Sequence, residues 1–404
     1  MAVSKRLFVY ILIATAQVAG CASVPERKPV PEDLVNVAVS PVNDYARMWG
    51  DELPSDSKRR QNFLREQMQA ANDAGFFAAD QYALSLSGGG ARGAFGAGLL
   101  KGWSEAGDRP EFLVVTGIST GALLAPFAFL GRDYDQEMED LYTGISTSDL
   151  VEKRSLLRGL TGDAMTDTQP LRDLLVKHID AEMIAEIAEE YSKGRRLLIG
   201  TTNLDAKRPV IWNIGKIAVE GTDEAAQLIR DVMLASVSIP GAFPPVRIEV
   251  VADGEIYDEL HVDGGTSSQV FLYPAQMDLG YFSRFLGLTG QLHVYVIRNA
   301  MLEPHWSAVN PKLRPVLMAA IDTLIRTQGM GDLYRIYLGA LRDKIEFRLA
   351  SIPPEFDMQP TEIFDPDYMR ALFDLAYDMA QAGYPWVASP PGIEPRVKQP
   401  LIAE

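Results

Sequence analysis

Apolar runs of five or six residues alternate with longer amphipathic stretches along most of this chain. Tyr82-Ala83-Leu84-Ser85-Leu86, Phe112-Leu113-Val114-Val115-Thr116 and Leu197-Leu198-Ile199-Gly200-Thr201-Thr202 predict strands over 82–87, 112–116 and 197–202. Further strands are predicted near 209–213 and 258–263, and over 292–297 (Leu292-His293-Val294-Tyr295-Val296-Ile297). Helical periodicity fills the gaps, from about 93 to 105 and again directly after Ser119. Strands alternating with helices imply an α/β fold with a largely parallel sheet. The stretch 133–190 is helical and acidic, placed where a cap or lid would lie, with Arg158-Gly159-Leu160-Thr161-Gly162-Asp163 either facing substrate or forming a surface turn. Two long helical patterns follow Arg298. The second opens at Asp365-Pro366, a cap followed by proline in the first turn, and aligns Met369, Leu372, Phe373, Ala376 and Met379 on one face, as core packing does.

Two glycine-framed motifs interrupt this pattern. Gly117-Ile118-Ser119-Thr120-Gly121 lies between a predicted strand and a predicted helix, the setting in which a G-x-S-x-G turn thrusts its serine outward. Ser119 is the candidate nucleophile. Ser87-Gly88-Gly89-Gly90-Ala91-Arg92-Gly93 follows a strand and opens a helix, so its amides are available to a negative charge. The same glycine spacing also serves dinucleotide pyrophosphate, but that use calls for an acidic residue ending a second strand about 20 residues on. Glu105 and Asp108 fall in a turn, and Glu111 opens the next strand, so the oxyanion reading is favoured.

A serine nucleophile needs a base, most often a histidine oriented by a carboxylate. The four histidines are His178 on an amphipathic helix, His293 within a strand, His305 in a Pro/Trp-containing loop, and His261. His261 belongs to Leu260-His261-Val262-Asp263-Gly264-Gly265, where residues two apart on a strand share a face. His261 and Asp263 are therefore a candidate pair, and Asp263 is either an Asx-turn residue or a carboxylate delivered to the edge of the sheet.

These residues, in this order, closely resemble the motifs of the patatin-like phospholipases, as does the proline-rich stretch Ala235–Val246 before Asp263-Gly264-Gly265. The resemblance covers roughly residues 80–350. It implies a three-layer patatin-like fold with helices flanking a largely parallel central sheet. It also implies a Ser-Asp dyad in which Asp263 takes the proton of Ser119 directly and no histidine acts. Gly89, Gly90 and Ala91 then supply the oxyanion hole. Gly88, Arg92, Gly93, Gly117, Gly121, Gly264 and Gly265 support the motifs. Neither metal nor cofactor is implied. The implied activity is hydrolysis of lipid esters, of phospholipase A or lysophospholipase type, through an acyl-serine. Acyl transfer to another acceptor uses the same dyad, and a non-catalytic, phosphate-binding lipoprotein is the reading from outside enzymology. Pro126 departs from the pattern, because proline lacks an N–H and bends a helix. A dyad also sets a condition: an ordinary aspartate titrates near ~3.9, so Asp263 acts as base only if burial raises its basicity or the oxyanion is strongly stabilised.

A net charge of −16 argues against nucleic acid as a partner and against electrostatic attraction to anionic lipid. Membrane contact would then be apolar or covalent. Lys5-Arg6, the apolar run Leu7–Ile13 and the small residues Val18-Ala19-Gly20 lead into Cys21, the only cysteine, a pattern similar to a bacterial lipoprotein signal; an ordinary secretory signal or a short uncleaved anchor is the alternative. The expected organisation is a signal peptide over 1–20, a lipidated Cys21 opening a Pro-rich, poorly ordered tether over 21–56, a surface helix over 57–79, the catalytic domain over 80–350 and a C-terminal helical extension and tail over 351–404. The expected location is the bacterial cell envelope, on the periplasmic face of an outer membrane where there is one.

Overall fold

The computed structural model describes residues 26–52, 79–150, 152–153, 166–272, 280, 290–304, 306 and 308–393. Among these, nine strands form one sheet: β1 (Arg47–Trp49), β2 (Gln81–Leu86), β3 (Val114–Ile118), β4 (Arg196–Asn203), β5 (Arg208–Asn213), β6 (Val246–Ala252), β7 (Glu255–Asp263), β8 (Leu292–Arg298) and β9 (Glu346–Ser351). The main path is β1-β5-β4-β3-β2-β8-β9. Its five strands from β4 to β9 run parallel, while β5 and β1 add an antiparallel margin.

The unbroken apolar runs are explained by burial on both faces. On β8, Tyr295 and Ile297 enter one cluster with Leu84 and Leu86 of β2, while Val294 and Val296 enter another with Ala83. The first cluster is roofed by α1 (Gly93–Ala106), α2 (Thr120–Leu130) and α3 (Asp135–Gly144). It also takes residues from α4 (Gln169–His178), α5 (Ala181–Ser192) and α6 (Asp223–Val237). The second cluster is roofed by Leu333, Ile336, Tyr337 and Ala340 of α7 (Leu313–Asp343). Helices thus flank a mostly parallel sheet, the three-layer arrangement expected from the sequence. Pro126 lies inside α2, which continues through it to Leu130.

One expectation is corrected. Residues 26–52 are not a loose tether: β1 pairs with β5, Val39 bridges Val251, and Arg27 lies 2.7 Å from Asp205 and 2.6 Å from Asp258. Their apolar and cationic residues found partners that composition alone does not reveal. β9 closes one edge of the sheet and, after residue 350, where the apolar row of Met369, Leu372, Phe373 and Ala376 predicts core packing, α8 (Pro366–Gln381) buries Tyr368, Met369, Leu372, Phe373, Ala376 and Ala380 in the main core. Its start is fixed as expected: the Asp365 side chain accepts from the amides of Asp367 and Tyr368. The signal segment, Cys21, residues 53–78 of the tether and surface helix, the loop 158–163, His305 and residues 394–404 lie outside the described residues.

Candidate active site

β3 and β7 share one edge of β4. β3 runs along it as far as Ile118, paired with Gly200; β7 arrives from the opposite direction and ends with Asp263 paired to Thr201. The two strands therefore meet end to end, and the residue following one faces the last residue of the other. The Ser119 Oγ donates a hydrogen bond to Asp263 Oδ2 at 2.7 Å.

Ser119 holds φ 55° and ψ −128°, a backbone conformation that side-chain-bearing residues seldom adopt. The tightness of the turn explains its glycines, since a Cβ on Gly117 would collide with the backbone of Gly121, and one on Gly121 with that of Leu86. The serine amide is held by Ser236, whose hydroxyl accepts from Ser119 N at 3.0 Å and donates to Gly200 O at 2.7 Å. Ser119 stands at the N-terminus of α2, whose positive end favours negative charge developing there.

Asp263 is 5% exposed and has few partners: Ser119 Oγ, and the Gly265 amide, which donates to Oδ1 at 2.7 Å. Burial dominates its titration and raises the pKa to about 6, although both hydrogen bonds pull the other way. The carboxyl is thus more basic than an ordinary aspartate and still ionised at neutral pH.

The glycine loop passes beside this pair as a 3-10 turn, Gly90–Arg92, leading into α1. The first amides of such a turn have no carbonyl one turn back to accept them. Gly90 takes φ +59° with nothing near its absent Cβ, so the left-handed backbone, rather than space, calls for glycine there. Asn299 clamps the loop: its amide donates to Ser87 Oγ at 2.9 Å, its Nδ2 to Ser87 O at 2.8 Å, and its Oδ1 accepts from Gly96 N at 3.1 Å. On the other side Gly88 N donates to Gln269 O at 3.1 Å.

A small apolar cavity of about 60 Å³ begins at Gly90 and Thr120 and is walled by Leu123, Tyr142, Leu174 and Met369, among others. Among the described residues no group of three or more His, Cys, Asp or Glu side chains could hold a metal ion.

The structure thus brings Ser119, Asp263 and the loop from Gly88 to Gly93 together, and separates His178, His261 and His293 from them. His261 does not pair with Asp263. Its Nε2 lies 3.0 Å from Glu259 Oε2 and its Nδ1 2.9 Å from Thr201 Oγ1, and Arg47 Nη2 sits 3.1 Å from the same glutamate. The shared face of β7 does make a pair, but with Glu259, two residues before His261, instead of Asp263, two residues after. His293 Nδ1 lies 2.6 Å from Glu346 at the opposite end of the sheet, and His178 Nδ1 is 2.5 Å from Glu137. Ser236, Gln269 and Asn299 have no motif around them that marks their bracing roles, and of the three only Ser236 lies within the proline-rich stretch Ala235–Val246.

A strained strand-to-helix serine, bonded to a buried carboxylate and flanked by the first amides of a 3-10 turn, has the parts of an acyl-transfer site. Residues 84–275 match the family described as Patatin-like phospholipase, so the chain carries such a domain over those residues. No curated protein matches the chain. Among solved structures, VipD from Legionella pneumophila is similar with a TM-score of 0.37 and 13% identity, over 75% of this chain and 66% of that one. The chain therefore spans just under two thirds of VipD.

Proposed function

We propose that the protein is a serine hydrolase of lipid esters working through a Ser119–Asp263 dyad, with the phospholipase A or lysophospholipase type as the reading carried by the family match. The observation that carries it is the 2.7 Å hydrogen bond from Ser119 Oγ to the buried Asp263 carboxylate. Asp263 accepts the hydroxyl proton as Oγ bonds to the ester carbonyl carbon. The oxyanion that forms is met by the amides of Gly89, Gly90 and Ala91, each worth about 3 kcal/mol in the transition state. Collapse breaks the bond to the alcohol, which leaves with the proton from Asp263, and the acyl group stays on Ser119. A water molecule then gives its proton to Asp263 and attacks the acyl carbon; the acid departs and Ser119 regains its proton. The apolar cavity beside Gly90 and Thr120 supports an acyl chain as the group transferred.

Attachment to a membrane through lipid on Cys21, in a bacterial cell envelope, belongs to the same proposal and rests on the N-terminal sequence pattern. Among the described residues no helix is long and apolar enough to cross a membrane. Labelling with a fluorophosphonate probe, combined with a panel of lipid esters, tests the hydrolase. Labelling confined to Ser119 and free fatty acid as the product are expected. A folded protein that neither labels nor releases acid would refute the reading, and acyl transfer to added lysolipid in place of acid release would replace it. For the anchor, Cys21→Ser is expected to abolish lipid incorporation; undiminished labelling of that variant would exclude it.

A further inference from the structure

Arg298, the last residue of β8, is 3% exposed, and among the described residues its guanidinium makes no hydrogen bond, with Nη1 buried and unpartnered. Burial, reinforced by the charge of Arg92 and opposed by Asp332, lowers its pKa to about 10, so it remains a cation at neutral pH. Asp332 does not pair with it: Oδ2 accepts from Gln269 N at 2.6 Å and Ser268 Oγ at 3.1 Å, and Oδ1 lies 3.2 Å from Arg335. A buried cation without an ion-pair partner is expensive even after relaxation. The fold makes room for it nonetheless. The guanidinium lies on the backbone of Gly329, where any side chain would collide with it, and a glycine within a helix is itself destabilising relative to alanine.

Its location gives this cation a use. The next residue is Asn299, the clamp of the glycine loop, and Gly329 follows Gln328, whose Oε1 lies 3.5 Å from Gln269 Nε2. Gly88 stands between Gln269 and Ser119, and Arg92 extends exposed from the same loop. Arg298 lies at the carboxyl ends of the parallel strands, where ligands of open α/β sheets bind. It is on the α7 face, while the apolar cavity is on the α2 face. An ester held at Ser119 would have an acyl chain on one side and a cation on the other.

On the reading that Ser119 cleaves lipid esters, we propose that Arg298, assisted by Arg92, binds a phosphate ester group, so that the site selects phosphate-bearing lipids over neutral ones. A planar guanidinium matches two phosphate oxygens at once. In a chain of net charge −16, such a site confines attraction for anions to the crevice.

The test compares the full-length protein with Arg298→Met and Arg298→Lys on two esters of one acyl chain, lysophosphatidylcholine and monoacylglycerol. The wild type should favour the phosphate-bearing ester, and Arg298→Met should reduce that ratio of kcat/KM by about tenfold or more, chiefly through KM, with Arg298→Lys intermediate. Inorganic phosphate should compete with lysophosphatidylcholine and raise the wild-type melting temperature, and Arg298→Met should lose both effects. Competition identifies the lipid headgroup as the source; a change in monoacylglycerol hydrolysis on adding phosphate, without competition, identifies free phosphate as an effector at the same cation. An unchanged ratio in Arg298→Met, or equal losses on both esters, overturns the proposal. Should Arg298→Met not fold, Arg298→Lys and phosphate stabilisation decide it, and the absence of both effects overturns it. Hydrolysis of neither ester refutes the hydrolase reading itself; the phosphate-dependent melting shift and its loss at Arg298 then judge the anion site independently.

Discussion

β7 carries two buried polar clusters, two residues apart, and they are built in opposite ways. At His261 both ring nitrogens have partners, Glu259 and Thr201, and Arg47 adds an ion pair to the same glutamate. Burial pushes the Glu259 carboxyl up, but Arg47 and His261 outweigh it and hold it below its usual range; burial also keeps His261 below its usual pKa. At Asp263 no cation is within ion-pairing distance among the described residues, and the carboxyl rises to about 6. The first cluster satisfies its own groups and ties the N-terminal segment to β7. The second is left underneutralised, with its basicity directed at one hydroxyl. A buried histidine next to the expected base is thus no evidence of a triad: what matters is whether its hydrogen bonds have already been taken.

The contrast can be broken most forcefully at the nucleophile. Ser119→Ala should lower turnover by about 10³-fold or more, leaving only what the oxyanion loop and binding supply. Full activity in that variant would move the chemistry elsewhere. At the loop, Gly90→Val should cost about 10²-fold, in line with ~3 kcal/mol for one donor. Because Gly90 is defined by its positive φ and has open space around it, Gly90→Asn, which tolerates that backbone, should retain more activity than Gly90→Val. Equal losses would show that steric access, not backbone conformation, is the requirement.

Stability should separate the two clusters by sign. His261→Ala strips a partner from buried Glu259 and leaves a cavity, so a loss of about 2–4 kcal/mol in denaturant unfolding is expected. Asp263→Asn should go the other way. The folded-state pKa lies above the ordinary 3.8, so the carboxyl's contribution favours the folded state fully below about pH 4 and is lost as pH rises through about 6. Above that range the amide variant should be more stable than wild type, by up to about 3 kcal/mol, the equivalent of two powers of ten in proton affinity. The difference should shrink on acidification toward pH 4, and a gain independent of pH would contradict an origin in the buried carboxylate. The smallest effect is kinetic: kcat/KM should fall below about pH 6, where Asp263 is protonated and cannot accept the serine proton, with no matching limb from a histidine.

Much of this was legible in the sequence. The runs at 82–87, 112–116, 197–202 and 292–297 became strands within a residue or two, because strands buried on both faces leave uninterrupted apolar signatures. The serine elbow, the glycine loop and Asp263 were legible because each depends on local backbone geometry. What escaped was non-local. β6, which alternates buried with less buried residues before the Asp253-Gly254 turn, is the local exception, while β1 is three residues long and gains its stability from β5. Arg47 reads as an ordinary surface cation until Glu259 is placed beside it. Ser236, Gln269 and Asn299 act through contacts that no spacing encodes, and Arg298 closes a run read only as a strand.

The proposed mechanism depends on a carboxylate alone serving as the base for Ser119. The most direct measurement is kcat/KM for hydrolysis of a single ester by Asp263→Asn and by His261→Ala, each shown to be folded by circular dichroism. A loss of about 10²–10⁴-fold is expected at Asp263, together with a change of less than about threefold at His261. A comparable loss at His261, or near-normal turnover without the Asp263 carboxylate, would contradict it.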